Sequence, residues 1–214
     1  MAERFSPMRI ISGRAKGRKL YLPKGKAIRP TADRVKESVF DILGDQWGGI
    51  RVLDLFSGTG SLGLEAMSRG AQEVVFVEKS RPALNALKRN ISLCGFDAQA
   101  VVLAMSVPHG LTLMGQRGKS FQIIFADPPY GRGWVEKTIR EILAHRVLSE
   151  DGMVVMEHAP YEIPMRDHEE LVTLRQETYG ETTISFFSFE TMDKKRQIVD
   201  PDASLDIPEN REIA

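Results

Sequence analysis

Short apolar runs alternate with helix-spaced apolar residues along most of this 214-residue chain. Val52, Leu53, Leu55 and Phe56 make residues 51–56 almost continuously apolar, the pattern of a strand covered on both faces. Runs at 74–77, 98–103, 123–126 and 153–156 predict four more strands. Between them, Val35, Val39, Phe40 and Leu43 fall at helical spacing, with Thr31 as a cap and Gly44 as a stop. Helices are also predicted over 62–68, over 81–93 and over 134–144. Residues 171–177 and 182–189 read as two strands joined at Tyr179-Gly180, a hairpin expected to add an antiparallel edge strand. The alternation predicts an α/β fold: a seven-stranded, mostly parallel sheet with one antiparallel strand and helices on both faces. The stretch from 104 to 122 receives no element.

The two ends of the chain depart from this pattern. Residues 1–30 carry Arg4, Arg9, Arg14, Lys16, Arg18, Lys19, Lys24, Lys26 and Arg29 against one acid, Glu3. Ile10-Ile11 and Leu20-Tyr21-Leu22 flank Gly13 and Gly17, so this part reads as a small β-hairpin arm with a basic turn. Residues 31–190 are expected to form the main domain, and the polar 191–214 a disordered tail. Lys+Arg and Asp+Glu are both 29, so overall charge is silent, and only the arm's local excess points to a polyanion. Arg14, Lys16, Arg18 and Lys19 are expected to carry most of a nucleic-acid contact, with Arg29 and Arg34 at the join.

Cys94 is the one cysteine, which excludes an internal disulfide and fits a reducing cytoplasm. Residues 1–6 lack the apolar core of a signal peptide, and no run approaches the ~18 apolar residues of a membrane span. His109, His145, His158 and His168 show no ligand spacing, so no metal is expected. A monomer is expected.

Candidate chemistry lies at the ends of the predicted strands. Gly58, Gly60 and Gly63 follow the first strand and formally match a dinucleotide turn. Glu78 ends the second strand, where an acid can accept hydrogen bonds from ribose hydroxyls. A nicotinamide cofactor is disfavoured because Asp54, just before the glycines, is unhelpful beside a pyrophosphate; it suits the cationic methionine end of S-adenosylmethionine. Asp127-Pro128-Pro129-Tyr130 follows the fourth strand. Two prolines stiffen the turn and remove two backbone donors, leaving acceptors from the Asp127 carboxylate and a local carbonyl. Two acceptors suit a planar amino group with two protons to give, and Tyr130 offers a face for stacking. Held this way, the nitrogen can attack a methyl group in line, and Asp127 need only take a proton late.

These residues resemble a known group. Asp127 to Tyr130 is similar to the (D/N)PP(Y/F/W) motif of class I methyltransferases acting on exocyclic amino nitrogens, and Asp54 to Gly60 and Glu78 to that class's cofactor motifs. Upstream, Arg9-Ile10-Ile11-Ser12-Gly13, Lys16-Gly17-Arg18-Lys19-Leu20 and Arg29-Pro30-Thr31-Ala32-Asp33-Arg34-Val35-Lys36-Glu37 resemble the amino-terminal signature of the RsmD family. The resemblance covers about residues 8–190. It implies a Rossmann-like class I methyltransferase fold, S-adenosylmethionine as cofactor, and methylation of a guanine N2 amino group in 16S ribosomal RNA, as free RNA or in an assembling small subunit. It also implies a cofactor site of Asp54, Phe56, Gly58, Thr59, Gly60, Glu78, Lys79, Met105, Ser106 and Asp127. Where the wider class has an acid or Asn after the third strand, this chain has Met105 and Ser106. Other readings of the residues are a DNA adenine-N6 or cytosine-N4 methyltransferase, a glutamine-amide methyltransferase and a silent RNA-binding assembly factor.

Overall fold

In the computed structural model, residues 8–23, 32–162 and 171–189 are described. β1 (Arg51–Leu55) lies inside the sheet, hydrogen-bonded in parallel to β2 (Glu73–Glu78) and to β4 (Phe121–Ala126), as its unbroken apolar run requires. β3 (Ala100–Ala104) extends the sheet beyond β2, and β5 (Leu148–His158) pairs in parallel with β4. The chain thus runs outward from β1 to β3 and restarts on the other side at β4. That reversal opens a crevice at the carboxyl ends of β1 and β4, the place where open α/β sheets bind ligands.

The remaining strands, β6 (Leu171–Tyr179) and β7 (Thr182–Phe189), complete the order β3-β2-β1-β4-β5-β7-β6. β7 is antiparallel to both neighbours and is the single reversed strand. The expected antiparallel edge strand is therefore corrected: β7 is inserted between β5 and β6, and β6 is the edge. Burial explains the choice, since seven of the eight β7 residues are buried whereas β6 alternates with polar residues facing out.

Helices cover both faces. α1 (Ala32–Leu43), α2 (Ser61–Arg69) and α3 (Arg81–Cys94) pack with Val52, Phe76, Phe125, Val155 and Phe186. α4 (Val107–Gln116) and α5 (Trp134–Ala144) pack with Leu53, Val75, Ile124, Met156 and Phe187 on the other face. α4 fills the stretch left without an element. Pro108, Gly110 and Gly115 hide its period, yet Val107, Leu111 and Met114 bury one face. A Cβ on Gly110 would sit 2.9 Å from Val77 Cγ1, so glycine lets this helix close on β2.

The amino-terminal hairpin lies on the same face as α2 and α3. Its two arms meet at the Arg9–Lys19 bridge, with Leu20 N donating to Met8 O at 2.7 Å. Ile10, Ala15 and Leu20 are buried in the α1–α3 layer. The turn is pressed on the last turn of α2: Arg14 N donates to Ser68 O at 2.8 Å and Ala15 N to Ser68 Oγ at 2.9 Å. A Cβ on Gly13 (φ +77°) would fall 1.9 Å from Ser68 O, so only glycine fits there. Arg29, Thr31 and the 191–214 tail lie outside the described residues.

Candidate active site

The carboxyl ends of β1, β2, β4 and β5, with the amino end of β7, open on one cavity of about 950 Å³. That is within the ~300–1,000 Å³ of small-molecule sites. At one end the chain leaves β1 through Phe56, whose φ of +58° is uncommon for a side-chain-bearing residue, and turns at Gly58 and Gly60 into α2. Phe56 packs edge-to-face on Trp134 at 5.8 Å, which ties this turn to the start of α5. Glu78 reaches under the same turn. Its Oε2 accepts Gly58 N–H at 2.8 Å, and its Oε1 accepts Lys79 and Ser80 N–H at 2.8 and 2.7 Å. Phe56, Gly58, Thr59, Glu78 and Lys79 all line the cavity.

Four expected cofactor residues do not line it. Asp54 is buried beneath the turn, where its Oδ2 accepts Gly63 N–H at 3.0 Å. Burial pushes its carboxyl up to about 7, opposed by that hydrogen bond and assisted by Glu78. Gly60 faces α3, since a Cβ there would meet Leu87 Cδ1 at 2.5 Å. Met105 and Ser106 sit at the end of β3, and the Ser106 hydroxyl is hydrogen-bonded to His109 Nδ1 at 2.6 Å in α4.

The other end of the cavity holds Asp127, Pro128, Pro129 and Tyr130. Asp127 and Pro129 are exposed, Pro128 is buried and Tyr130 is half-buried. The Tyr130 hydroxyl donates to Glu157 Oε1 at 2.7 Å and lies 3.2 Å from Thr182 Oγ1. Burial raises the Tyr130 hydroxyl above its ordinary range, against the Thr182 hydrogen bond and with the help of Glu157 and Asp127, so it stays a donor. Glu162 braces the loop beyond, accepting Gly131 N–H at 2.8 Å and Ala159 N–H at 3.3 Å. Tyr161, between Ala159 and Glu162 in sequence, is 73% exposed.

Several lining residues escaped the sequence reading. Met8 and Leu22 come from the hairpin, Val35, Lys36 and Val39 from α1, and Glu157 and Thr182 from β5 and β7. Glu157 had a usable signal: Val154-Val155-Met156-Glu157 ends an apolar run in an acid, as does the run that ends at Glu78. Lys36 is 3% exposed; its Nζ donates to Arg9 O at 2.6 Å and to Ser61 Oγ at 3.2 Å, and lies 3.6 Å from Glu65 Oε2. Burial pulls its ammonium below the ordinary range, with Glu65 and Asp33 opposing. Glu65 is wholly buried and accepts Ile11 and Ser12 N–H at 2.7 and 2.9 Å. The charges of this signature segment pair between elements, Asp33 with Arg9 (3.7 Å) and Lys36 with Glu65.

Arg14, Lys16, Arg18 and Lys19 are all exposed on the hairpin, and Arg34 on α1; Arg29 lies outside the described residues. The hairpin tip does not reach the cavity. It rests at Ser68, about 10 Å along α2 from the glycine turn at 1.5 Å per residue. There the Arg14 guanidinium donates to Gln99 and lies over the Phe96 ring at 4.5 Å. Among the described residues, no group of His, Cys, Asp and Glu could hold a metal ion, and no helix is long and apolar enough to cross a membrane.

A glycine turn after β1, an acid after β2 and a cavity at the switch point of a β3-β2-β1-β4-β5-β7-β6 sheet define the class I methyltransferase fold. The structure of yhhF from Escherichia coli superposes with a TM-score of 0.75 at 28% identity, over 86% of this chain and 98% of that one. Residues 8–188 match the family model described as Conserved hypothetical protein 95, and the chain belongs to that family, the RsmD family. YlbH of Bacillus subtilis is 38% identical over 181 residues, 84% of this chain and 98% of that protein. The ribosomal RNA small subunit methyltransferase D of Escherichia coli K12 is 34% identical over 150 residues, 70% of this chain and 74% of its own.

Proposed function

We propose that this protein methylates the exocyclic N2 amino group of a guanine in small-subunit (16S) ribosomal RNA, with S-adenosylmethionine as donor. The observation that carries the reading is the joint placement of Gly58, Glu78 and the Asp127–Tyr130 motif on one cavity. The similarity to a ribosomal RNA small subunit methyltransferase supports the RNA class. The partner is ribosomal RNA or an assembling small subunit in the cytoplasm, met by a monomer.

The residues present fit the cofactor. Gly58 has no neighbour nearer than 3.9 Å to a Cβ built on it, so its bare backbone faces room. Glu78 is acceptor-only when ionised, and of its roughly four lone-pair sites three are used by backbone donors, which leaves about one for a ribose hydroxyl. Phe56 supplies an apolar wall, and Lys79 and Thr59 close the turn. Asp54 acts from below by holding Gly63, hence the first turn of α2. When bound, S-adenosylmethionine would supply an electrophilic methyl group to N2 and leave as the neutral thioether, the guanine nitrogen giving up one proton. Asp127 accepts hydrogen bonds from the amino group and takes that proton or passes it to water. Tyr130, pinned by Glu157 and Thr182, presents a fixed ring face against the base. Exposed Tyr161, beside Gly131, offers a stacking face for a neighbouring splayed base.

The test is transfer of labelled methyl groups to small-subunit RNA, or to particles from cells lacking this protein, followed by nucleoside analysis. Labelled N2-methylguanosine at one position is expected. Label on adenine or cytosine would retain the amino-group chemistry and reject the guanine assignment. Cofactor binding without any label would favour an amide substrate or an assembly role.

A further inference from the structure

Resting on the guanine reading above, we propose that Glu157 is the residue that selects guanine, accepting the ring N1–H while Asp127 accepts from the N2 amino group beside it. The last register pair of β4 and β5 is Ala126↔Met156, and Asp127 and Glu157 are the residues that follow it on the two chains. Neighbouring strands are ~4.8 Å apart, so the two carboxylates approach one edge of a planar base side by side. Both line the cavity, and both charges help to raise the Tyr130 hydroxyl, which is hydrogen-bonded to Glu157. Tyr130 engages Glu157 Oε1; among the described residues Oε2 accepts no hydrogen bond.

Base chemistry turns this pair into a filter. An ionised carboxylate only accepts hydrogen bonds. Guanine presents two adjacent donors, the N2 amino group and N1–H. Adenine and cytosine place a ring lone pair beside their amino groups. A motif that holds any exocyclic amino group therefore becomes guanine-specific when a second carboxylate stands next to it. The tetrad binds the reacting nitrogen; Glu157 tells which ring carries it. A buried site built to bond a substrate N–H rejects analogues lacking it more strongly than a shape-based pocket does.

The experiment uses the full chain and reconstituted small-subunit particles carrying either guanosine or 2-aminopurine riboside at the methylated nucleotide. The analogue keeps the 2-amino group and puts a lone pair at N1. Wild-type protein is expected to favour guanosine by ~100-fold or more in kcat/KM. Glu157→Gln can still accept the Tyr130 hydroxyl but offers an amide N–H to the lone pair, so the preference is expected to fall at least tenfold or invert. Glu157→Ala, which also removes the acceptor of the Tyr130 hydroxyl, is expected to slow both substrates, guanosine at least tenfold more than the analogue. Binding of the two particles to protein loaded with S-adenosylhomocysteine is expected to show the same change in ratio. If both variants slow the two substrates equally and the preference persists, Glu157 only holds Tyr130 and the proposal falls while the methyltransferase reading stands. If wild-type protein leaves guanosine particles unlabelled, the guanine reading itself fails.

Discussion

Replacing Glu65 by alanine is expected to release the amino-terminal hairpin and, through it, open the cofactor end of the cavity. Glu65 has no exposed surface, accepts Ile11 and Ser12 N–H, and pairs with Lys36 and Arg69. Removing one partner of a buried ion pair costs about 3–5 kcal/mol, because the remaining charge stays buried. Two backbone donors also lose their acceptor, at ~1–3 kcal/mol each if they remain buried. Against this stands the hairpin's own docking, mainly the burial of Ile10 and Leu20 at ~1.5–3 kcal/mol each. The buried defect, about 5–11 kcal/mol, exceeds the docking energy of about 3–6 kcal/mol, so the hairpin detaches in preference to leaving the defect buried. The measured loss is then the docking energy, about 3–6 kcal/mol, or a fall in Tm of roughly 6–24 °C for a chain of this size.

Limited trypsin digestion checks it directly, since the turn offers Arg14, Lys16, Arg18 and Lys19. Cleavage there is expected to accelerate at least tenfold. S-adenosylmethionine affinity is expected to fall with it, because Met8 and Leu22 are walls of the cavity. Glu65→Gln, which keeps one acceptor, is expected to fall between. Wild-type cleavage rate and Tm in Glu65→Ala would refute the reasoning and make the hairpin's apolar contacts its whole attachment.

Asp127→Ala is expected to lower kcat by about 10²–10⁴ while cofactor affinity by calorimetry changes little; equal turnover would remove Asp127 from the mechanism. Changing Arg14, Lys16, Arg18 and Lys19 together to Glu is expected to reduce the slope of log K against log salt by up to about 3. An unchanged slope would return the hairpin to a purely structural part. Asp54 gives a pH prediction: its carboxyl rises from 3.8 to about 7 on folding, so the folded state holds the extra proton between those values. Stability is expected to fall as pH rises from about 4 to about 7, by ~1.4 kcal/mol per unit at most, and then to level. Denaturant midpoints of Asp54→Asn, whose amide oxygen can still accept Gly63 N–H, are expected to lack that slope; a slope matching wild type would show that Asp54 is not its source.

The sheet was legible wherever a strand is buried on both faces, as at Val52-Leu53 and Val74-Val75, because unbroken apolar runs admit few alternatives. α4 was not, because its glycines serve close packing against Val77 and His145, a tertiary need that erases the local helical signal. The place of β7 was half legible. Thr182, Thr183, Ser185 and Ser188 look like an edge pattern, yet all are buried, with Ser185 hydrogen-bonded to His158 at 2.7 Å and Thr183 to Thr178 at 3.1 Å. Polar residues satisfied inside a sheet read in sequence as polar residues facing water.

The site shows the same limit at the level of single charges. Glu78 was found because a glycine turn lies at a known distance before it, whereas Glu157 and Glu65 have no such companion in the chain. Glu65 sits in an apolar helix, and its partners lie 53 and 54 residues away in the hairpin. Lys36 stands among charged neighbours in α1 and reads as a solvated face, yet it is buried by the hairpin that it helps to hold. The amino-terminal signature therefore carries two kinds of residue that sequence presents alike. The exposed cations of the turn are placed about 10 Å from the glycine turn along α2, where they can grip RNA backbone while a base reaches Asp127. Lys36 and its acceptors fix the hairpin as cavity wall, so the proposed cofactor and RNA contacts would both depend on one docked element.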